Sequence, residues 1–152
     1  MARFLYIEDY DDLRMKVVTN LRKTFPGDEF MTAVDYKSAV AAVNRDGPFA
    51  GIISDWHYPG TPTATAMNTQ CGGSDFLRYL QDQKILTPVA IVTLHMDEDM
   101  SVIEEMKKKG LSLTDCSVHI KRIESFHAII KSFKQAIEAR ATAAGAPAEA
   151  KA

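Results

Sequence analysis

The run Gly51-Ile52-Ile53-Ser54-Asp55 constrains this chain more than any other stretch. A short, apolar, β-branched segment ends abruptly on a carboxylate. Such a segment suits a strand buried on both faces, as in a parallel sheet. Its last residue then emerges at the strand's carboxyl end, where open α/β sheets bind ligands. Three more apolar runs finish on reactive side chains: Phe4–Ile7 on Glu8 and Asp9, Val89–Val92 on Thr93, and Val118–Ile120 on Lys121. Four strand ends carrying different functional groups point to one shared site.

Between these runs lie segments of helical period. Leu13, Val17, Val18, Leu21 and Phe25 predict a helix that Pro26-Gly27 breaks. Glu29–Val34 reads as a second strand, and Asp35 as the N-cap of a helix through Asn44. Tyr58–Gly73 has no charged residue and no clear period, and reads as a long surface loop. Ser74 is expected to cap a helix through Gln83, and Asp97 one through Lys109. A last helix is expected over Ser125–Ala141, and Thr142–Ala152 as a disordered Ala-rich tail or the start of a linker. The folded domain is therefore expected over 1–141. Strand and helix alternate five times, the pattern of a doubly wound α/β fold with strand order 2-1-3-4-5, flavodoxin-like.

Composition narrows the function. The formal net charge of -2 offers no basic excess for a nucleic-acid backbone. No apolar run approaches the roughly 20 residues that cross a bilayer, so the expectation is a cytoplasmic protein with no membrane partner. Cys71 and Cys116 lack metal-ligand spacing and are expected as reduced thiols.

With that strand order Glu8, Asp9 and Asp55 converge. Two carboxylates about 4 Å apart repel by about 4 kcal/mol at an effective dielectric near 20, so three need protons or a cation. Hard oxygen ligands with open positions suit Mg²⁺. An aspartate can also attack phosphorus. Lys121 would neutralise the transferring oxygens and Thr93 would donate its hydroxyl to one of them. The constellation reads as phosphoryl transfer onto a carboxylate.

Over about residues 3–140 the chain resembles the response-regulator receiver domains of two-component signalling, the CheY-like fold. The resemblance is carried by Glu8-Asp9, Arg14, Asp55 with Pro59 after it, Gly73, Thr87-Pro88, Thr93 and Lys121. It implies that Asp55 is the phosphoacceptor. It implies that Asp9 and Asp55 bind Mg²⁺ directly, with Glu8 through water and the backbone carbonyl of His57. Thr93 becomes the switch hydroxyl and Lys121 the phosphate's partner. The implied partners are a sensor histidine kinase or histidine phosphotransfer protein upstream, and an unidentified protein downstream. The resemblance places His57 and His95 at positions that in the family flank the phosphoryl group and influence its lifetime; the two are expected either to tune hydrolysis or donor choice or to be solvent-exposed side chains with no role. A receiver is a signalling module, catalytic only toward its own phosphoryl group.

The sequence departs from the family at Val118, where an aromatic is usual, at Leu94, usually small, and at Arg122, usually proline. These departures motivate an alternative: a degenerate receiver acting as a phosphorylation-independent interaction module. An aspartyl phosphohydrolase ranks lower, because His57 stands where a second aspartate would act. Trp56 reads either as core or as partner contact.

Overall fold

The computed structural model describes residues 1–60, 71–94, 96–111 and 115–149, and only the backbone of 96–100 and 144–149. Its elements alternate: β1 (Arg3–Ile7), α1 (Asp11–Thr24), β2 (Glu29–Ala33), α2 (Tyr36–Asp46), β3 (Gly51–Asp55), α3 (Gly72–Asp82), β4 (Val89–Thr93), α4 (Met96–Lys108), β5 (Cys116–Ile120) and α5 (Ile123–Glu149). The five strands form one parallel sheet, ordered β2-β1-β3-β4-β5, as the alternation predicts.

Side chains alternate across each strand, so one sequence feeds two cores. Leu5, Ile7, Ile52, Val89 and Ile91 face α2, α3 and α4, packing with Ala39, Phe76, Leu77, Leu80 and Val102. Phe4, Tyr6, Ile53, Ala90 and Val92 face α1 and α5, packing with Val17, Leu21, Phe126, Ile130 and Phe133. β3 and β4 are buried along their whole length, whereas the edge strand β5 is only partly covered. Gly51 is the close-approach point on the α5 side. A Cβ there would lie 2.2 Å from the Phe133 ring. The missing side chain lets that ring press onto the central strand.

Local chemistry explains most boundaries. Asp35 caps α2 as expected: its carboxylate accepts from the Ser38 N–H at 2.7 Å, and the Ser38 hydroxyl accepts from the Asp35 N–H at 3.1 Å. Several boundaries differ from the sequence reading, α2 running to Asp46 and α5 starting at Ile123 among them. α3 begins at Gly72, not at Ser74, because the glycines fit where side chains would not. A Cβ on Gly72 would meet the Tyr58 ring at 2.1 Å, and one on Gly73 the Trp56 carbonyl at 2.5 Å. Tyr58, read as the start of a surface loop, is fully buried; 61–70, the middle of that loop, lies outside the described residues. α5 continues past Ala141 to Glu149 through the stretch read as a disordered tail. Alanine forfeits no side-chain entropy in a helix, so the turns persist although Ala141 and Ala143 are exposed.

Candidate functional site

The carboxyl ends of β1, β3, β4 and β5 lie side by side, which gathers the predicted groups at one edge of the sheet. Asp55 ends β3 and is 8% exposed. One of its oxygens, Oδ1, accepts the Trp56 main-chain N–H at 2.8 Å; the other, Oδ2, lies 3.2 Å from Lys121 Nζ. Burial pushes the Asp55 carboxyl up to about 6; Lys121 opposes this and the Glu8 charge adds to it.

Glu8, directly after β1, is 1% exposed and fully engaged. Its Oε1 accepts from Lys121 Nζ at 2.8 Å and from the Tyr6 hydroxyl at 3.3 Å. Its Oε2 accepts the Tyr10 N–H at 3.2 Å, and Arg14 donates to its carbonyl at 2.9 Å. Asp9 is exposed beside it; partial burial and then the Glu8 charge raise its carboxyl above the ordinary range. Oxygens of Glu8, Asp9 and Asp55 all lie within 4.8 Å of one another. At that separation each pair of charges repels by about 3 kcal/mol at an effective dielectric of 20. One ammonium does not offset three carboxylates. The donor set is all oxygen, lies at the sheet edge and has one exposed member, so it fits a hard cation that keeps part of its water.

Lys121 follows β5, and its side chain is 5% exposed. Burial alone would lower its ammonium's pKa, but the carboxylates of Asp55 and Glu8 outweigh this and leave it raised. The peptide bond to Arg122 is trans, and the ammonium still reaches both carboxylates. Thr93 ends β4 and is 2% exposed; Val92 before it pairs with Asp55 across the sheet. The Thr93 carbonyl accepts the Lys121 N–H, which binds the ends of β4 and β5 together. His57 is exposed, two residues after Asp55. Leu94 is likewise exposed, and His95 lies outside the described residues.

Two further groups support the site and were not singled out from the sequence. The Tyr6 hydroxyl steadies Glu8 while its ring packs edge-on against Phe126 at 5.3 Å. The only signal for it is an aromatic with a polar tip two residues before a buried acid, hence on the same face of the strand. Beneath Asp55, the Ser54 and Tyr58 hydroxyls lie 2.9 Å apart, and the Ser54 hydroxyl donates to the Asp55 carbonyl at 2.8 Å. Trp56 is core, not surface, at 3% exposed.

Fold comparison defines the class: the chain has the fold of response-regulator receiver domains. The receiver domain of Francisella response regulator 1452 superposes with a TM-score of 0.66 at 19% identity, over 90% of this chain and 99% of that one. The chemotaxis response regulator CheY4 of Vibrio cholerae gives 0.64 at 23% identity, over 88% and 98%. The receiver domain of a signal-transduction histidine kinase from Syntrophus aciditrophicus gives 0.67 at 16% identity, over 90% and 92%. No protein-family model matches the chain, and no curated protein matches it in sequence. No helix among the described residues is long and apolar enough to cross a membrane.

Proposed function

We propose that residues 1–141 form a phosphoacceptor receiver domain, modified on Asp55 by a phosphohistidine of a sensor kinase or phosphotransfer protein, and signalling onward by protein contact in the cytoplasm. The observation that carries this reading is the meeting of three carboxylates within 4.8 Å with the Lys121 ammonium between Glu8 and Asp55. In the transfer, an ionised Asp55 oxygen attacks phosphorus and the P–N bond breaks. The electron pair stays on the imidazole nitrogen, which takes up a proton. Lys121 turns from Asp55 Oδ2 to the incoming phosphoryl oxygens, and the Thr93 hydroxyl donates to another. Asp9, Asp55 and the His57 carbonyl would hold Mg²⁺, with Glu8 acting through water, and the ion would supply positive charge against those oxygens. His57 tunes how long the phosphoryl group lasts.

A small acyl phosphate with Mg²⁺ tests the reading. The expected result is an added phosphoryl mass that Asp55→Asn removes. No added mass, or mass unaffected by that substitution, sinks it.

A second reading has one observation in its favour. Val118 is an aliphatic residue packed against the core on the α4 side of the sheet. Its position carries no ring that could turn inward after modification. A degenerate receiver that binds its partner without phosphorylation would show the same affinity for that partner with and without the acyl phosphate.

A further inference from the structure

Trp56 carries two N–H groups, and each meets a carboxylate. The main-chain N–H donates to Asp55 Oδ1 at 2.8 Å, and the indole Nε1–H donates to Glu105 Oε2 on α4 at 2.9 Å. The indole has little freedom to move apart from its backbone. It is 3% exposed, its carbonyl accepts the Gly73 N–H at 3.1 Å, and a Cβ on Gly73 would press its ring at 2.9 Å.

Glu105 joins Trp56 to two helices. Its other oxygen lies 2.8 Å from Lys109 Nζ, and that ammonium donates to the Ser74 hydroxyl of α3 at 2.9 Å. Partial burial works against the Glu105 charge, but the bonds from Lys109 and Trp56 outweigh it and hold the carboxyl below its ordinary range. The rest of α4's described inner face is slight: Val102 is buried, Met106 half-buried and Ile103 exposed. The described part of α4, so lightly packed, is sensitive to a charge-assisted bond within it.

We infer that Trp56 is a positioning residue that carries a change of charge on Asp55 to α4 through its indole bond to Glu105. The inference rests on Asp55 being the modified residue. Converting the Asp55 carboxylate to an acyl phosphate removes charge from the group that accepts the Trp56 N–H and repartners its oxygens. The Trp56 backbone then readjusts, and the indole and Glu105 with it.

Four proteins test this without any phosphate: wild type, Asp55→Asn, Trp56→Phe and the double variant. Phenylalanine keeps a ring and the main-chain N–H but loses the indole donor. The readout is amide hydrogen exchange over α4 residues 102–108. The expected result is that Asp55→Asn changes exchange there by about threefold or more, that Trp56→Phe accelerates it, and that Asp55→Asn has no further effect in the Trp56→Phe background. An equal response to Asp55→Asn in both backgrounds overturns the inference, as does an α4 indifferent to Asp55→Asn. Should Trp56→Phe not fold, Glu105→Ala cuts the same bond from the exposed side and replaces it in the set. An acyl phosphate added to the wild type separates the two readings: no phosphoryl gain removes the receiver function, while the four-protein comparison still decides whether charge at Asp55 reaches α4.

Discussion

Lys121 Nζ lies 2.8 Å from Glu8 Oε1, across a sequence separation of 113 residues and in a nearly closed pocket. The first and last strands are not neighbours in the sheet; β3 and β4 stand between them. The Lys121 side chain therefore links the two ends of the chain's strand series, and the same ammonium lies 3.2 Å from Asp55 Oδ2.

Removing the cation alone leaves Glu8 and Asp55 facing each other without compensation. Lys121→Met is expected to destabilise the metal-free protein by about 3 kcal/mol, the cost of orphaning a buried charge. Urea unfolding in a chelator measures it; a loss below about 1 kcal/mol would show that the carboxylates do not depend on the ammonium.

Asp55 gives stability a pH signature. Its carboxyl holds a proton up to about pH 6 in the fold, against an ordinary value of 3.8. The folded state thus binds this proton more tightly, and stability falls as pH rises through that window. Asp55→Asn, which cannot ionise, is expected to match wild type near pH 4 and exceed it by up to about 3 kcal/mol at pH 8 in a chelator. Thermal unfolding across this range decides, and an advantage that is flat with pH contradicts the assignment.

A divalent cation is expected to stabilise the wild type at neutral pH by an amount that grows with the logarithm of its concentration once it exceeds the dissociation constant. Asp9→Asn removes the most accessible ligand without disturbing the Glu8–Lys121 pair. Its thermal shift with millimolar Mg²⁺ should shrink to a small fraction of the wild-type shift. Equal shifts in the two proteins would place the ion elsewhere.

Gly73→Ala puts a methyl group 2.5 Å from the Trp56 carbonyl oxygen. Backbone cannot rotate away as a side chain does, so the start of α3 must withdraw. A destabilisation of about 2 kcal/mol or more is expected, with loss of the Gly73–Trp56 bond visible as faster exchange at that amide.

Most strands were legible because short apolar runs closed by a polar residue mark buried parallel strands, with Glu29–Ala33 the weakest in pattern, and their order followed from right-handed crossovers in a doubly wound fold. Glu8, Asp9, Asp55, Thr93 and Lys121 could be gathered because each sits just beyond such a run, and topology does the rest. The start of α3 was not legible. Ser74 carries the side chain of a good cap, and only the tertiary contacts of Gly72 and Gly73 against Tyr58 and Trp56 show why the helix begins earlier. The Trp56–Glu105 bond spans 49 residues; a buried indole demands an acceptor, but the sequence does not say which of several acids on α4 provides it. The continuation of α5 is less legible in the sequence: no apolar face marks it, and Gly145 and Pro147 argue against the helix that its alanines favour.

The edge pocket also carries a message about valence. Three carboxylates set against one ammonium leave two negative charges at the sheet edge, where Glu8 and Asp55 are buried and Asp9 is exposed. A sodium or potassium ion would leave half of that deficit standing, and a trivalent ion would overshoot it. Only a doubly charged guest brings the pocket to neutrality, so discrimination among ions begins with counting charges, before size or geometry is consulted.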